Sequence, residues 1–415
     1  MHISLDSALG RQRRLNSVGE SVLQIAPNAA AAYSLRSLTG GDPKVVRVRR
    51  DTDNAEQDFT ASGVSSGALV DFATSGNGVF ANTGYESFTN ASASGFTASN
   101  TGSTGFAVSD ILDGVSGDAV SVSFDIDITN GSPGISLRTA LNGGSTASNG
   151  IVYTTSGSKT ATLTGNKGYV GVGFTEGDAP SNFTVSNFKV LGNGFVETWY
   201  DQSGNGRDST QTTAARQPII VESGTFQDGL KFTHTDTTNG KRMYVPRNTP
   251  ELGTEFALAW VGTYSGSEAK TKVVLGNARG VQTNNSGAVA IMVRPSSNAF
   301  RFINENSGTS TLSSINTTTV AADTTAVVFA NFDDDAVTIS TDGNVHTSTL
   351  SGTSLTSTAD LRIMAAQSAS GATGGSYRTT ESTEGICKEV LVYDTNQSNN
   401  RTSIETNIIN HYSIS

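Results

Sequence analysis

The residues best equipped for chemistry lie in the stretch TWYDQSGNGRDSTQ, residues 198 to 211. Trp199 and Tyr200 offer flat apolar faces for sugar CH groups. Asp201, Gln202 and Asn205 add carboxylate and amide groups for sugar hydroxyls. The same residues also suit a structural corner. Asp201 and Ser203 can bond back to local backbone, Gly204 and Gly206 can take positive φ, and the rings can fill a core.

Other chemistry is thinner. Sugar hydrolysis needs two carboxyls held across the scissile bond, and Asp51, Asp53, Glu56 and Asp58 form a cluster of the right type. They follow a strand directly and have Arg47, Arg49 and Arg50 as neighbours, so a structural role is expected. Asp333, Asp334 and Asp335 form an acidic tip; calcium would need several converging oxygens, and a solvated turn is expected instead. His2, His234, His346 and His411 are scattered, with no nucleophile elbow, metal-spaced pair or phosphate loop. No cofactor and no metal site are expected. The single cysteine, Cys387, lies in GICKEVLVY, so no intramolecular disulfide can form, and it reads as a buried strand residue. Trp260, within EFALAWVG, reads as core.

The chain has 415 residues, which points to two or more domains. It is poor in charge (15%), and rich in Gly, Ser, Thr and Asn, the profile of an all-β protein with many turns. A net charge of −10 argues against nucleic acid as a partner. The basic run Arg11, Arg13 and Arg14 reads as a subunit-docking segment. No stretch is long and apolar enough to span a membrane. The first thirty residues lack the apolar run of a signal peptide, so synthesis in the cytoplasm without Sec-type export is expected.

The elements that must position these residues follow from periodicity. Residues 1–26 read as an N-terminal docking arm that orders on a partner. PNAAAAYSLRSLTGG is expected to be a helix capped by Asn28 and stopped by Gly40 and Gly41. KVVRVRR, 44 to 50, alternates as a strand. SSGALVDFATSG reads as a second short helix, capped by Ser65 or Ser66 and closed by Gly76. Residues 82–190 then change texture. Val120, Val122, Phe124, Ile126 and Ile128 alternate along DAVSVSFDIDIT, and short strands follow at regular intervals, which implies a β-sandwich. GNGVF at 76–80 nearly repeats as GNGFV at 192–196. Removing the intervening sandwich fuses the flanks into one continuous helix–turn–strand–turn. Residues 82–190 are therefore read as an insertion into a discontinuous host, 27–81 and 191–415. DGN at 342–344 reads as a hairpin turn. Ile404, Ile408 and Tyr412 recur at helical spacing near the end, with Ser398 as the cap.

AAYSLRSL, VVRVRRDTDNAEQDF and FVETWYDQSGNGRDSTQ, in that order, resemble the signature of the domain named for fungal α-L-arabinofuranosidase B. EVLVYDTNQSNNRTSIETNIINHY resembles the last strand and helix of concanavalin A-like (laminin G-like) modules. The combination resembles appendage and other structural proteins of tailed bacteriophages. The likeness spans roughly residues 29–80 and 194–415, and the insert resembles carbohydrate-binding jelly rolls in texture. The resemblance implies a concanavalin A-like jelly-roll host with short flanking helices. It further implies a non-enzymatic tail, fibre or capsid-surface protein that assembles in the bacterial cytoplasm and resides on the virion. Implied partners are other virion proteins, identical copies (a trimer among the arrangements) and cell-surface glycans. Since the motif recurs without catalysis in the phage-like relatives, the weight for residues 199–205 falls on the corner. The cysteine-rich catalytic segment of the fungal enzymes has no counterpart here, so no catalytic residue carries over. An arabinofuranosidase-like glycoside hydrolase and a bacterial surface lectin are the alternatives.

Overall fold

A computed structural model describes residues 20–51, 53–74, 79–82, 85, 87–100, 105–113, 119–131, 134–141, 145–164, 169–176, 181–234, 240–246, 252–267, 271–277, 288–305, 313–334, 336–349, 360–367, 377–378 and 382–414. The protein is all-β, built as antiparallel sandwiches with short flanking helices. The larger host sheet runs, edge to edge, through Asn344–Thr349, Ala336–Thr341, Ala326–Asp333, Glu255–Gly262, Gly385–Tyr393, Thr225–Phe232, Ile219–Glu222, Gly194–Trp199, Lys44–Arg50 and Glu56–Thr60. Ala31–Ser34 adds to Gly385–Tyr393, and Ser209–Thr210 adds to Gly194–Trp199. The smaller host sheet runs through Met243–Val245, Leu361–Ile363, Lys272–Gly276, Ala288–Arg294, Ala299–Glu305 and Ser313–Thr319.

Both faces of the strand Glu255–Gly262 are covered, which is why FALAWVG is apolar throughout after the exposed Glu255. Phe256, Leu258 and Trp260 face the smaller sheet, where Trp260 meets Phe300 at 5.6 Å and Phe256 meets Phe302 at 6.2 Å between ring centroids. Ala257, Ala259 and Val261 face the other way, onto Ile404 and Ile408 of the C-terminal helix Arg401–Tyr412. Cys387 is fully buried within its strand. Asp342 (φ 52°) and Gly343 (φ 81°) turn the hairpin between Ala336–Thr341 and Asn344–Thr349, a pair of left-handed residues matched to strand twist.

Four expectations need correction. The Ala-rich stretch is no helix: Asn28 sits at φ 68° and Ala31–Ser34 is a strand. Helix propensity loses because these four residues fill a slot in the sheet, with Ala31 and Tyr33 in one core and Ala32 in the other. The docking arm cannot extend to residue 26. Val22 and Ala26 are fully buried beside the C-terminal helix, and the Asn407 amide donates to the Glu20 carbonyl at 2.7 Å. Residues 20–26 belong to the packed body, while Arg11, Arg13 and Arg14 lie outside the described residues. Ser398 does not cap the last helix. Asn400 holds that position without a side-chain bond, and Ser398 serves the preceding turn by bonding Asn331 and Asn396. The second expected helix is real but divided into Ala61–Ser65 and Ala68–Thr74, with Thr60 capping the first and Ser65 and Ser66 falling before the second.

Strands between residues 81 and 190 pair only with one another among the described residues, in two five-stranded sheets. Val122, Phe124 and Ile126 point into a shared aromatic core with Phe96, Phe183 and Phe188. Phe80 joins that core, and Ala81 pairs with Val108. On the host side, Asn193 is clamped by Asp51, whose carboxylate accepts its backbone N–H at 2.9 Å and its side-chain amide at 2.7 Å. Gly76 and Asn77 lie outside the described residues.

Candidate binding cleft

The turn after Trp199 is spent internally. Trp199 is fully buried, 5.6 Å from the Tyr33 ring, and presents no face to a sugar. The Asp201 carboxylate accepts the backbone N–H groups of Ala32, Ser203 and Arg207 at 2.9, 2.9 and 3.0 Å. Gln202 accepts from the Leu38 N–H at 2.7 Å and donates to the carbonyls of Ser34 and Arg36. Asn205 donates to the Ala29 and Ala30 carbonyls. Gly204 (φ 87°) and Gly206 (φ 67°) supply the left-handed positions that close the turn. Of the five residues assigned sugar chemistry, four hold the strand Ala31–Ser34 and its flanks in place. Tyr200 is different: its hydroxyl donates to Asp58 at 2.7 Å. Burial, helped by that carboxylate, pushes its phenol up to about 12.

The acidic cluster at 51–58 is paired with the strand before it. Lys44 bonds Asp58 at 2.8 Å, Arg47 reaches Glu56 at 2.9 Å and Asp58 at 3.3 Å, and Arg50 grips Asp53 at 2.7 Å. The Lys44 bond, against a smaller effect of burial, leaves Asp58 below the usual carboxylate range. Asp333 accepts from the Asn396 amide at 2.6 Å, Asp334 lies in a turn at φ 54°, and Asp335 falls outside the described residues. Among the described residues no three His, Cys, Asp or Glu side chains gather as a metal would require. His234 is buried, with its Nε2 2.9 Å from the Met364 carbonyl and 3.0 Å from that of Thr383.

A cleft of about 690 Å³ opens elsewhere, between residues 35–42, the two short helices, the strand Thr225–Phe232 and the end of the C-terminal helix. Phe226, Leu35, Val64 and Val70 form its apolar wall. Asp42 and Asp228 line it from opposite elements. Asp42 accepts from the Ser62 N–H and hydroxyl at 2.8 and 2.6 Å, and Asp228 bonds Lys388 at 2.5 Å. The polar end is built on Glu389, which has no exposed side-chain surface. Arg36 grips it in a two-pronged pair at 2.7 and 3.0 Å and spends its remaining arm on Asn407 at 2.9 Å. Tyr412 donates to Glu389 at 3.2 Å, and its ring lies 5.7 Å from the Arg36 guanidinium and 5.5 Å from the Lys388 ammonium. Burial works against the Arg36 charge, and the Glu389 carboxylate more than offsets it, holding the guanidinium above its usual range.

No sequence motif marks this site, because its residues are scattered along the chain. One signal was present: a glutamate inside the apolar run KEVLVY must find a partner if the strand is buried, and SLRSL holds the arginine that meets it.

No family model matches the chain, and no curated protein matches it. Similar solved structures include a carbohydrate-binding module (CBM40) of the Ruminococcus gnavus IT-sialidase bound to α2,3-sialyllactose, at 10% identity and a TM-score of 0.30, covering 37% of this chain and 83% of that one. Trypanosoma rangeli sialidase is similar at 14% identity and a TM-score of 0.33; the match takes in 53% of this chain and 32% of the enzyme. A heptameric SAP-like pentraxin from Limulus polyphemus is similar at 13% identity and a TM-score of 0.29, over 36% of this chain and 69% of that one. Each is a partial likeness in shape.

Proposed function

We propose that this protein is a non-enzymatic, glycan-binding structural protein of a tailed-phage virion, and that the cleft at Phe226 and Tyr412 receives a short saccharide. The observation that carries the glycan reading is the cleft itself. Its volume lies within the roughly 300–1,000 Å³ of small-ligand sites. It sets an aromatic ring and an aliphatic wall against two carboxylates and two cations, the combination that suits sugar CH faces and hydroxyls. The quoted motifs, with their likeness to phage structural proteins, support the virion setting. A corner role for Trp199 to Asn205 supports reading those motifs as architecture rather than catalysis.

The test is a glycan array and titration calorimetry with the wild type, Phe226→Ala and Asp228→Asn. Wild type binds a defined set of saccharides, and Phe226→Ala weakens that binding at least tenfold while the fold is retained. A wild-type protein that binds nothing on the array, or a Phe226→Ala variant that binds equally well, sinks the cleft reading. The same preparations are expected to leave aryl arabinofuranosides intact. Turnover that vanishes when one Asp or Glu becomes its amide overturns the non-enzymatic reading. Absence of the chain from purified particles, by mass spectrometry, refutes the virion setting.

A further inference from the structure

The charges of the cleft lie in two layers. Its cations are recessed. The Arg36 side chain is 13% exposed and grips Glu389, which is not exposed at all. The Lys388 side chain is 12% exposed, while that of Asp228, which bonds it, is 71% exposed. On the opposite wall Asp42 is exposed as well. The mouth of the cleft is therefore acidic, and its positive groups sit behind.

The acidic layer is not cancelled from within. Arg36 is matched by Glu389, and Lys388 by Asp228. Asp42 accepts from the N–H and the hydroxyl of Ser62, and both donors are neutral. Two cations, Arg36 and Lys388, thus stand against three carboxylates, Asp42, Asp228 and Glu389, which leaves one negative charge. The Ser62 hydroxyl, then the Ser62 N–H, hold Asp42 below the usual carboxylate range, so that charge persists in mild acid. Partial desolvation, then the Arg36 charge, keeps the His411 imidazole below its ordinary range, so it does not reverse the balance there.

We propose that the cleft selects a saccharide bearing a free amine, a hexosamine unit, and turns away acidic saccharides. The proposal rests on the cleft reading above and adds the charge class of its ligand. An ammonium brings three N–H donors and no acceptor. The carboxylates at the mouth are acceptors only, so they suit it better than they suit a hydroxyl. Phe226, two residues before Asp228 on the same strand, lines the cleft beside it, and a ring face attracts a cation further. A uronate meets the two mouth carboxylates before it can reach Lys388 or Arg36, and those cations already hold partners. Because Asp42 and Asp228 are exposed, the preference is modest, up to about fivefold for each pair formed.

The test is titration calorimetry on the full chain in mildly acidic, low-salt buffer, where sugar amines are protonated. The probes are β-1,4-linked glucosamine trisaccharide, cellotriose, which carries a hydroxyl in place of each amine, and trigalacturonate. Wild type is expected to bind the glucosamine trimer at least about threefold more tightly than cellotriose, and trigalacturonate more weakly than either. High salt narrows the margin. Asp42→Asn keeps an acceptor for Ser62 and is expected to reduce the margin. Asp228→Asn leaves the Lys388 charge unmatched and is expected to bind trigalacturonate more tightly than wild type does, a gain that damage to the fold would not produce. Equal binding of the glucosamine trimer and cellotriose, wild-type preference for trigalacturonate, an undiminished margin in Asp42→Asn, or no gain in Asp228→Asn each overturns the proposal. So does a wild type that binds none of the three. The glycan array then judges the cleft reading separately: Phe226-dependent capture of other saccharides leaves it standing, and a blank array removes it too.

Discussion

The side-chain carboxylate of Asp201 accepts the backbone N–H of Ala32 at 2.9 Å, across 169 residues of sequence. The Gln202 N–H completes the crossing by donating to the Ala32 carbonyl at 2.8 Å. One strand residue is thus held on both its backbone groups by two consecutive residues of the turn. The strand it belongs to is buried and pairs with Gly385–Tyr393 of the larger sheet. The turn is a latch that fastens the N-terminal part of the host to its middle and end.

Asp201→Ala strips the acceptor from three backbone N–H groups at once. An unmet donor costs about 1–3 kcal/mol when fully buried, and these three bonds are partly buried, so a loss of roughly 2–3 kcal/mol is expected by urea unfolding. Asp201→Asn, which keeps one oxygen, is expected to lose less. A change below about 1 kcal/mol for the alanine variant would show that the latch is not what fixes this strand.

Glu389 and Arg36 form a buried ion pair in which removing one partner strands the other. Glu389→Leu alone is expected to cost about 3–5 kcal/mol, while Arg36→Met with Glu389→Leu costs markedly less. A double-mutant cycle in chemical denaturation measures the coupling. Strictly additive losses contradict the pairing described.

His234 gives the stability a pH dependence. Burial is the main cause, against two carbonyl contacts, and it holds the imidazole at about 4 rather than 6.5. Between those values the unfolded chain binds the proton more readily than the folded one. Stability is therefore full above the unfolded value and falls as pH drops from 6.5 toward 4, by roughly 3 kcal/mol over the window. His234→Gln is expected to flatten that slope. An unchanged slope in the variant assigns the dependence to other groups.

The inserted sandwich is expected to fold alone. Its strands pair only among themselves in the described residues, and the ion pair from it to the host, Lys189 to Asp71 at 3.4 Å, is exposed and worth little. Because Phe80 and Ala81 belong to it, the excision should span 79–190 rather than 82–190. Joining the host ends with a short Gly-Ser linker is expected to leave a host that unfolds cooperatively. A host that loses its cooperative transition rules out independent folding.

Local pattern alone was enough for the β class, the alternating strands of the insert, the DGN hairpin, the burial of Trp260 and Cys387, and a helix at the end. Each depends on side chains two or four residues apart, which a short window contains. The Ala31–Ser34 strand was misread because its helix propensity is local, whereas the sheet slot that overrides it is made by residues more than 150 positions away. Residues 20–26 looked like a free arm because their few apolar groups cannot cover one another; the C-terminal helix, at the far end of the chain, covers them. The aromatic and amide groups of 199–205 fit a sugar or a corner as a list of atoms, and the resemblance put the weight on the corner. Only burial and hydrogen-bond direction, which depend on where the chain returns, made them a latch. The cleft was beyond sequence reading for the same reason. Its residues come from segments far apart in the chain, brought together by long-range pairing and packing rather than by any one segment.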